Sequence, residues 1–298
     1  GRLYILKGGC GCGKSSLMRA VAAEAERRGE TVEPVYCASD PDSLDGVILR
    51  QRGVGVLDGT APHERAPRYT GVVDSIVDLG EYLNTKKLRE RSTEIIELTD
   101  KKKACYKRAY GLLAAAGGIR TQISQLTDSA VLWGKMEGAA KRIAAKQAAG
   151  ETHIMLRPRK AFCGKGLVSA DGYGASEIYA VNDPYDIAHH FYRALFAACV
   201  DRGASITISP DAQSPHRIEA VRMDESGVLF CGDGVETASN VVNMERFVDK
   251  EQIRRTRHQR RFLEKARKGL TEAARDALAE ARSLHEKLEA IYIPAMSF

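Results

Sequence analysis

Aromatic side chains are scarce in this chain: Phe, Trp and Tyr make up 6% of its 298 residues. Its core must therefore be packed mostly from Ala, Leu, Val and Ile, within a hydrophobic fraction of 44%. Long apolar runs are missing as well. No stretch approaches the ~18 apolar residues of a membrane span and no signal peptide precedes Leu3, so no membrane partner is expected. The seven cysteines are an odd number without a disulfide framework, and a reduced, cytoplasmic protein is expected. A strong charge of one sign is absent too. The formal net charge of +6 favours anionic ligands weakly and gives no argument for nucleic acid. This length holds one large domain or two of ordinary size. Because Gly1 is not an initiator methionine and the first apolar run starts at Leu3, an upstream segment is expected to have been removed or left out.

What is present begins at residue 8. Gly8, Gly9, Cys10, Gly11, Cys12, Gly13, Lys14 and Ser15 match G-x-x-x-x-G-K-[ST], the phosphate-binding P-loop, and Ser16 follows. The apolar run Leu3-Tyr4-Ile5-Leu6 predicts a buried strand before the loop, and Ser15 to Ala25 predicts a helix after it. Glycines let the backbone turn its N–H groups inward, and the helix amino end adds partial positive charge. Lys14 would reach the β- and γ-phosphates, and the Ser15 hydroxyl would ligate Mg²⁺. A nucleoside triphosphate is the expected ligand. With no guanine-reading N-K-x-D motif in the chain, ATP is the default.

Such a loop needs a carboxylate on a neighbouring strand, and Val54-Gly55-Val56-Leu57 empties into Asp58. Asp58 is the expected second Mg²⁺ partner. Gly59 follows it, so the acidic residue with which many ATPases activate water at that place is missing. Thr60 and His63 come next and are candidate sensors of the γ-phosphate; Asp40, Asp42, Asp45 and Glu64 are the other nearby carboxylates. The segment Cys37 to Asp45 has two readings: it positions a second substrate or the attacking water, or Asp42 or Ser43 caps a short helical turn. The C-x-C pair Cys10 and Cys12 has no second cysteine pair to make a metal site, but a thiol at a helix amino end can have a lowered pKa, and its oxidation or alkylation would block the loop.

The second half reads as a worn copy of the first. Ile178-Tyr179-Ala180-Val181 answers Leu3-Tyr4-Ile5-Leu6, residues 204–208 answer 31–37, and 227–233 answer 53–59. No glycine lies between Asn182 and Phe191, and Ala188 and His189 stand where Lys14 and Ser15 would recur. The second lobe is therefore expected to bind no nucleotide and to serve structure or a protein partner. His189 and His190, adjacent on a helix, diverge by about 100° and cannot both face one ion. Residues 86–116 predict one helix broken at Gly117-Gly118, and 119–149 a second, together a hairpin arm; Glu264 to Ala290 predicts the matching helix of the second lobe. Arg254, Arg257, Arg261, Lys265 and Lys268 share one helix face, which reads as solvated in preference to a nucleic-acid contact.

The runs from Leu6 to Met18, Cys37 to Val47, Val54 to His63, Leu284 to Glu289 and Ile291 to Met296 resemble a group of little-characterised bacterial ATP-binding proteins built from two P-loop repeats. The resemblance implies a P-loop ATPase or nucleotide-kinase-like protein and carries over Gly8, Gly13, Lys14, Ser15 and Asp58 as the nucleotide site. In that group both repeats can bear a P-loop, whereas the second here has lost its own. The expected architecture is α/β: a P-loop NTPase-like parallel sheet flanked by helices, duplicated, with a long helical hairpin extension. The expected divisions are 1–85, a nucleotide-binding lobe; 86–150, the arm; and 151–298, a degenerate lobe ending in long helices. Three activities fit: Mg²⁺-dependent ATP hydrolysis coupled to conformational change, phosphotransfer to a nucleotide or other small molecule, or slow nucleotide-gated binding. A protein partner or a second copy of the chain could dock on the second lobe or the arm.

Overall fold

A computed structural model of the chain describes every residue except 38, 39, 41, 61–63, 148, 149, 170–173, 236, 237, 239 and 298. It contains two compact units that alternate along the sequence. Unit 1 is Gly1–Ala109, Cys163–Gly166 and Arg275–Phe298, and unit 2 is Tyr110–Phe162 and Leu167–Ala274. These limits do not coincide with the expected divisions after residues 85 and 150.

Unit 1 runs β1 (Arg2–Lys7), α1 (Lys14–Arg27), β2 (Glu33–Tyr36), β3 (Leu44–Leu49), β4 (Val54–Asp58), β5 (Asp74–Asp78), α2 (Thr85–Glu90) and the start of α3 (Ser92–Asp128). Its sheet has the order β2-β3-β4-β1-β5. Strand β1 lies parallel to β4 and β5, while β3 is antiparallel to both β2 and β4. The architecture is mixed α/β with parallel strands in its sheets, and the expected all-parallel sheet is corrected. Parallel neighbours need a crossover of a dozen or more residues. The segments joining β2, β3 and β4 are too short for one. The core of unit 1 includes Leu6, Met18, Ala25, Leu44, Val47, Leu49 and Val56, with Met18 and Ala25 two turns apart on the buried face of α1.

Unit 2 takes up the end of α3 and continues with α4 (Trp133–Ala144), β6 (Ile154–Leu156), β7 (Lys160–Cys163) and β8 (Gly166–Ser169) except for Cys163 and Gly166, which unit 1 holds, then β9 (Glu177–Asn182), α5 (Ala188–Arg202), β10 (Ile206–Asp211), β11 (Ser214–Met223), β12 (Val228–Cys231), β13 (Asn240–Asn243), α6 (Lys250–Arg255) and the start of α7 (Arg257–Tyr292). The order of its main sheet is β13-β9-β12-β11-β10-β6, and β7 pairs with β8 separately. Strand β9 is parallel to β12 and β13, and β11 is antiparallel to β10 and β12. Strand for strand this repeats unit 1, with β6 added parallel at the far edge. Its core joins Phe191, Leu195 and Cys199 of α5 to Met136, Ala140 and Ala144 of α4.

The ends of the two long helices obey the same rule. In unit 1 the segment after α7 returns to the residues before α2: Asn84 N–H donates to the Ala295 carbonyl at 2.7 Å, and Ser297 N–H to the Tyr82 carbonyl at 2.8 Å. In unit 2 the segment after α3 meets the residues before α6: Asp249 N–H donates to Ala130 and Leu132 N–H to Phe247, both at 2.8 Å. Each residue is displaced from its counterpart by the same number of positions. The carboxyl end of the second long helix thus completes unit 1, and that of the first completes unit 2.

Helix α3 corrects the expected hairpin arm, because it does not break at Gly117-Gly118. Each interior glycine costs about 1 kcal/mol relative to alanine. Cys105, Ala109, Ala116 and Ile123, buried along one stripe, offset that cost. The expected second helix is divided between the end of α3 and α4. Among the described residues, no helix is long and apolar enough to cross a membrane.

Candidate phosphate-binding site

The loop between β1 and α1 lies wholly in unit 1. Gly8, Gly11 and Gly13 have φ of 146°, 67° and 78°, conformations that side-chain-bearing residues rarely adopt. Gly13 ends the loop as the residue preceding α1, and no side chain caps that helix. No described residue accepts from the backbone N–H groups of Lys14, Ser15 or Ser16. The helix amino end therefore keeps its donors for another acceptor.

Lys14 folds back over the loop. Its Nζ donates to the carbonyls of Gly8 at 2.9 Å and Gly9 at 2.8 Å, and stands 3.7 Å from Asp58 Oδ2. Pairing of β4 with β1 sets Asp58 beside Leu6, at the end of the strand from which the loop departs. Thr60 is committed to Asp58: its N–H and Oγ1–H donate to Oδ1 at 2.8 and 2.6 Å. The Ser15 hydroxyl oxygen accepts from Leu44 N–H at 3.0 Å, which ties the start of α1 to β3. Ser16 is exposed. His63, the second candidate sensor, lies outside the described residues.

Beside the Lys14 ammonium the site offers the Asp58 carboxylate, 3.7 Å away, and the start of α1 offers the Ser15 hydroxyl. Such a set suits Mg²⁺, which takes one or two protein oxygens and completes its shell with water and phosphate. Among the described residues, no group of three or more His, Cys, Asp or Glu could hold a metal by itself. Gly59 also has a structural reason. A Cβ there would stand 2.3 Å from Ile5 Cγ2, and the Lys7 ammonium donates to the Gly59 carbonyl. A side chain after Asp58 would force Ile5 to shift.

Sequence reading missed the outer face of the loop, which the end of α7 supplies. Tyr292 lies against Gly9, and Glu289 and Ile293 against Gly11. Cys10 Sγ sits 3.5 Å from His285 Nδ1 and 3.5 Å from Lys102 Nζ. Burial alone would raise the Cys10 thiol, but the His285 hydrogen bond and the charges of His285 and Lys102 outweigh it and hold the thiol below its ordinary value. His285 is pushed up, first by its hydrogen bond to Cys10. Cys12 is buried, and burial raises it. The one available signal was the resemblance in residues 284–296, whose partners no periodicity reveals.

Among the described residues of 37–45, none lies in a helix. Residues 42 and 43 turn directly into β3, which corrects the helix-cap reading. Asp40 accepts from Ser43 Oγ at 3.0 Å and from Asp42 N–H at 3.1 Å, and it pairs with Arg282. A cavity of about 170 Å³ beside Lys165 and Arg282 shares no residue with the phosphate loop.

Compared with known proteins, the chain matches no family model, no curated protein and no solved structure. The geometry alone therefore bears on what the loop does.

The corresponding loop of unit 2 is closed by its own side chains. Asp183 Oδ1 accepts from Ile187 N–H at 3.1 Å, and Oδ2 from Ala188 N–H at 2.7 Å. Behind it, Asp186 pairs with Arg120 at 2.8 Å and Arg217 at 2.9 Å, and Arg120 also binds Asp211 at 2.7 Å. His189 faces Arg217 and His190 Nε2 contacts Asp128 at 2.7 Å, but the two rings lie together with centroids 3.7 Å apart, closer than the expected divergence. Of the basic run, Arg254, Arg257, Arg261, Lys265 and Lys268 are exposed, while Arg260 is buried over the Tyr185 ring.

Proposed function

We propose that unit 1 binds a nucleoside triphosphate, ATP by default, through Gly8–Ser16, with Mg²⁺ held by Ser15 and Asp58. The observation that carries this reading is the position of Lys14 Nζ, on two loop carbonyls and 3.7 Å from Asp58, at the start of an uncapped helix whose N–H groups at Lys14, Ser15 and Ser16 have no described acceptor. A β,γ-phosphate would draw the ammonium off the carbonyls and take the amides in their place. Bound Mg²⁺ would neutralise charge on the phosphate oxygens as the terminal phosphoryl group leaves. Thr60 would keep the Asp58 carboxylate oriented.

The loop belongs, in this reading, to a P-loop NTPase-like lobe, and the recurrence of strand order in unit 2 supports its origin by duplication. Mg²⁺-dependent hydrolysis coupled to movement of the α7 end against the loop is the first activity. The lack of room at Gly59 favours a second, phosphotransfer to a small-molecule acceptor, which needs no water-activating carboxylate there. Slow, nucleotide-gated binding is the third. All seven cysteines are free thiols, which suits a cytosolic setting. A protein partner or second copy would dock on the second lobe, whose own loop is filled.

The test is calorimetry with MgATP on the full chain beside Lys14→Ala, followed by turnover with and without candidate acceptors. Binding by the parent chain that Lys14→Ala abolishes is expected. Equal heats from both proteins, or none from the parent chain, would overturn the reading. Phosphate release without an acceptor selects hydrolysis, ADP only with an acceptor selects phosphotransfer, and binding without turnover selects the gated form.

A further inference from the structure

Four ionisable side chains meet on the outer face of the phosphate loop. Cys10 comes from the loop, Lys102 from α3, and His285 and Glu289 from α7. Besides the two 3.5 Å contacts of the sulfur, Lys102 Nζ is 3.4 Å from His285 Nδ1, and His285 Nε2 is 3.4 Å from Glu289 Oε1. All of these atoms belong to unit 1. Tyr292 and the buried Cys12 also interact electrostatically with Cys10. Cys10 is half-buried, so bulk solvent does not fully dilute its neighbours' charge.

We propose that Cys10 is a peroxide-reactive thiolate, aligned by His285 and Lys102, whose oxidation distorts the phosphate loop. Two cations beside one sulfur favour the thiolate, the form that attacks. Glu289 holds the imidazole from its other nitrogen. A sulfur lone pair attacks one oxygen of a hydroperoxide and the O–O bond breaks. With hydrogen peroxide the departing hydroxide takes the proton of the His285 imidazolium and leaves as water. Sulfur is oxidised by two electrons to the sulfenic acid, and the peroxide is reduced by two.

Oxidation changes both charge and room. The sulfenic acid is neutral, so the anion that held Lys102 and His285 together is gone. The added oxygen also has little space, because the residues flanking Cys10 are already closed in. A Cβ on Gly9 would meet the Tyr292 ring at 3.0 Å, and one on Gly11 would meet Ile293 at 2.9 Å. Residues 9–11 must shift, and the amides that converge on a phosphate shift with them. The reactivity of the sulfur stands on its own; the effect on nucleotide rests on the reading under Proposed function.

The experiment treats the full chain with limiting hydrogen peroxide, traps sulfenic acid with dimedone and maps the adducts by mass spectrometry. Alkylation by iodoacetamide is timed at pH 7 in parallel. Cys10 is expected to carry the dimedone adduct and to alkylate at least about tenfold faster than Cys12. His285→Gln and, independently, Lys102→Met are each expected to slow the reaction of Cys10. Absence of the Cys10 adduct, or unchanged rates in both variants, would overturn the proposal. Amide hydrogen exchange across residues 9–13 should rise on oxidation and return with a thiol reductant, and MgATP binding should be lost and regained in step. Exchange that stays constant would remove the distortion. Because labelling and exchange need no nucleotide, failure of the nucleotide reading leaves a separate signature: peroxide chemistry present, binding heat absent.

Discussion

The carboxylate of Asp183 lies across the amino end of α5, with Oδ2 2.7 Å from the Ala188 amide. Lys14 occupies the matching first position of α1, where no side chain caps the helix. One fold therefore presents the same helix end twice, once filled by its own anion and once open. Burial raises the Asp183 carboxyl even though three backbone donors oppose the shift. Replacing Asp183 with alanine should destabilise the protein by about 1–2 kcal/mol, the usual worth of such a cap. Chemical denaturation measures it, and an unchanged midpoint would mean that the cap contributes nothing.

Gly59 offers a sharper test of what the site can do. Its substitution by alanine places Cβ 2.3 Å from Ile5 Cγ2, in the centre of the sheet. Overpacking of this kind costs about 1–3 kcal/mol. Gly59→Glu should cost at least as much and bring no faster hydrolysis. A stable Gly59→Glu protein with raised phosphate release would show that the position does accept a water-activating carboxylate.

Some of this site was legible in the sequence and some was not, for physical reasons. Gly8 to Ser15 and the run ending at Asp58 are local patterns, read by periodicity and by the special conformations of glycine. Strand β3 was hidden because Asp45-Gly46 resembles a turn. Gly46 is needed there because a Cβ would stand 2.5 Å from Leu57 Cδ2. The straight passage of α3 through Gly117-Gly118 reflects burial of a stripe on either side, which overrides local propensity. The bond from Asn84 to Ala295 joins residues far apart in the chain. No local pattern encodes it, and with it were hidden His285 and Tyr292 on the loop.

Thr60 gives a prediction that separates metal from phosphate. It donates twice to Asp58 Oδ1, and Thr60→Val removes the hydroxyl donor while keeping the shape. One hydrogen bond to a charged acceptor is worth about 1.5–3 kcal/mol. Affinity for MgATP should fall at least about tenfold, while affinity for ATP in EDTA stays the same. Equal losses with and without Mg²⁺ would assign Thr60 to the phosphate instead of the carboxylate.

His189 makes stability depend on pH in one direction. Burial first, then the charges of Arg217 and His190, press its pKa down to about 3 from an ordinary 6.5. The unfolded chain takes up a proton as pH falls through 6.5, and the folded chain resists until about 3. The unfolded state therefore binds more protons in that window. Stability from His189 is fully present above pH 6.5 and drains away toward pH 3, at up to about 1.4 kcal/mol per pH unit for one proton. His189→Gln should flatten the slope of unfolding free energy between pH 6 and 4 (about the middle of that window). A variant with the parent slope would place the acid sensitivity on the carboxylates around Arg120 and Arg217, whose protonation breaks the same ion pairs.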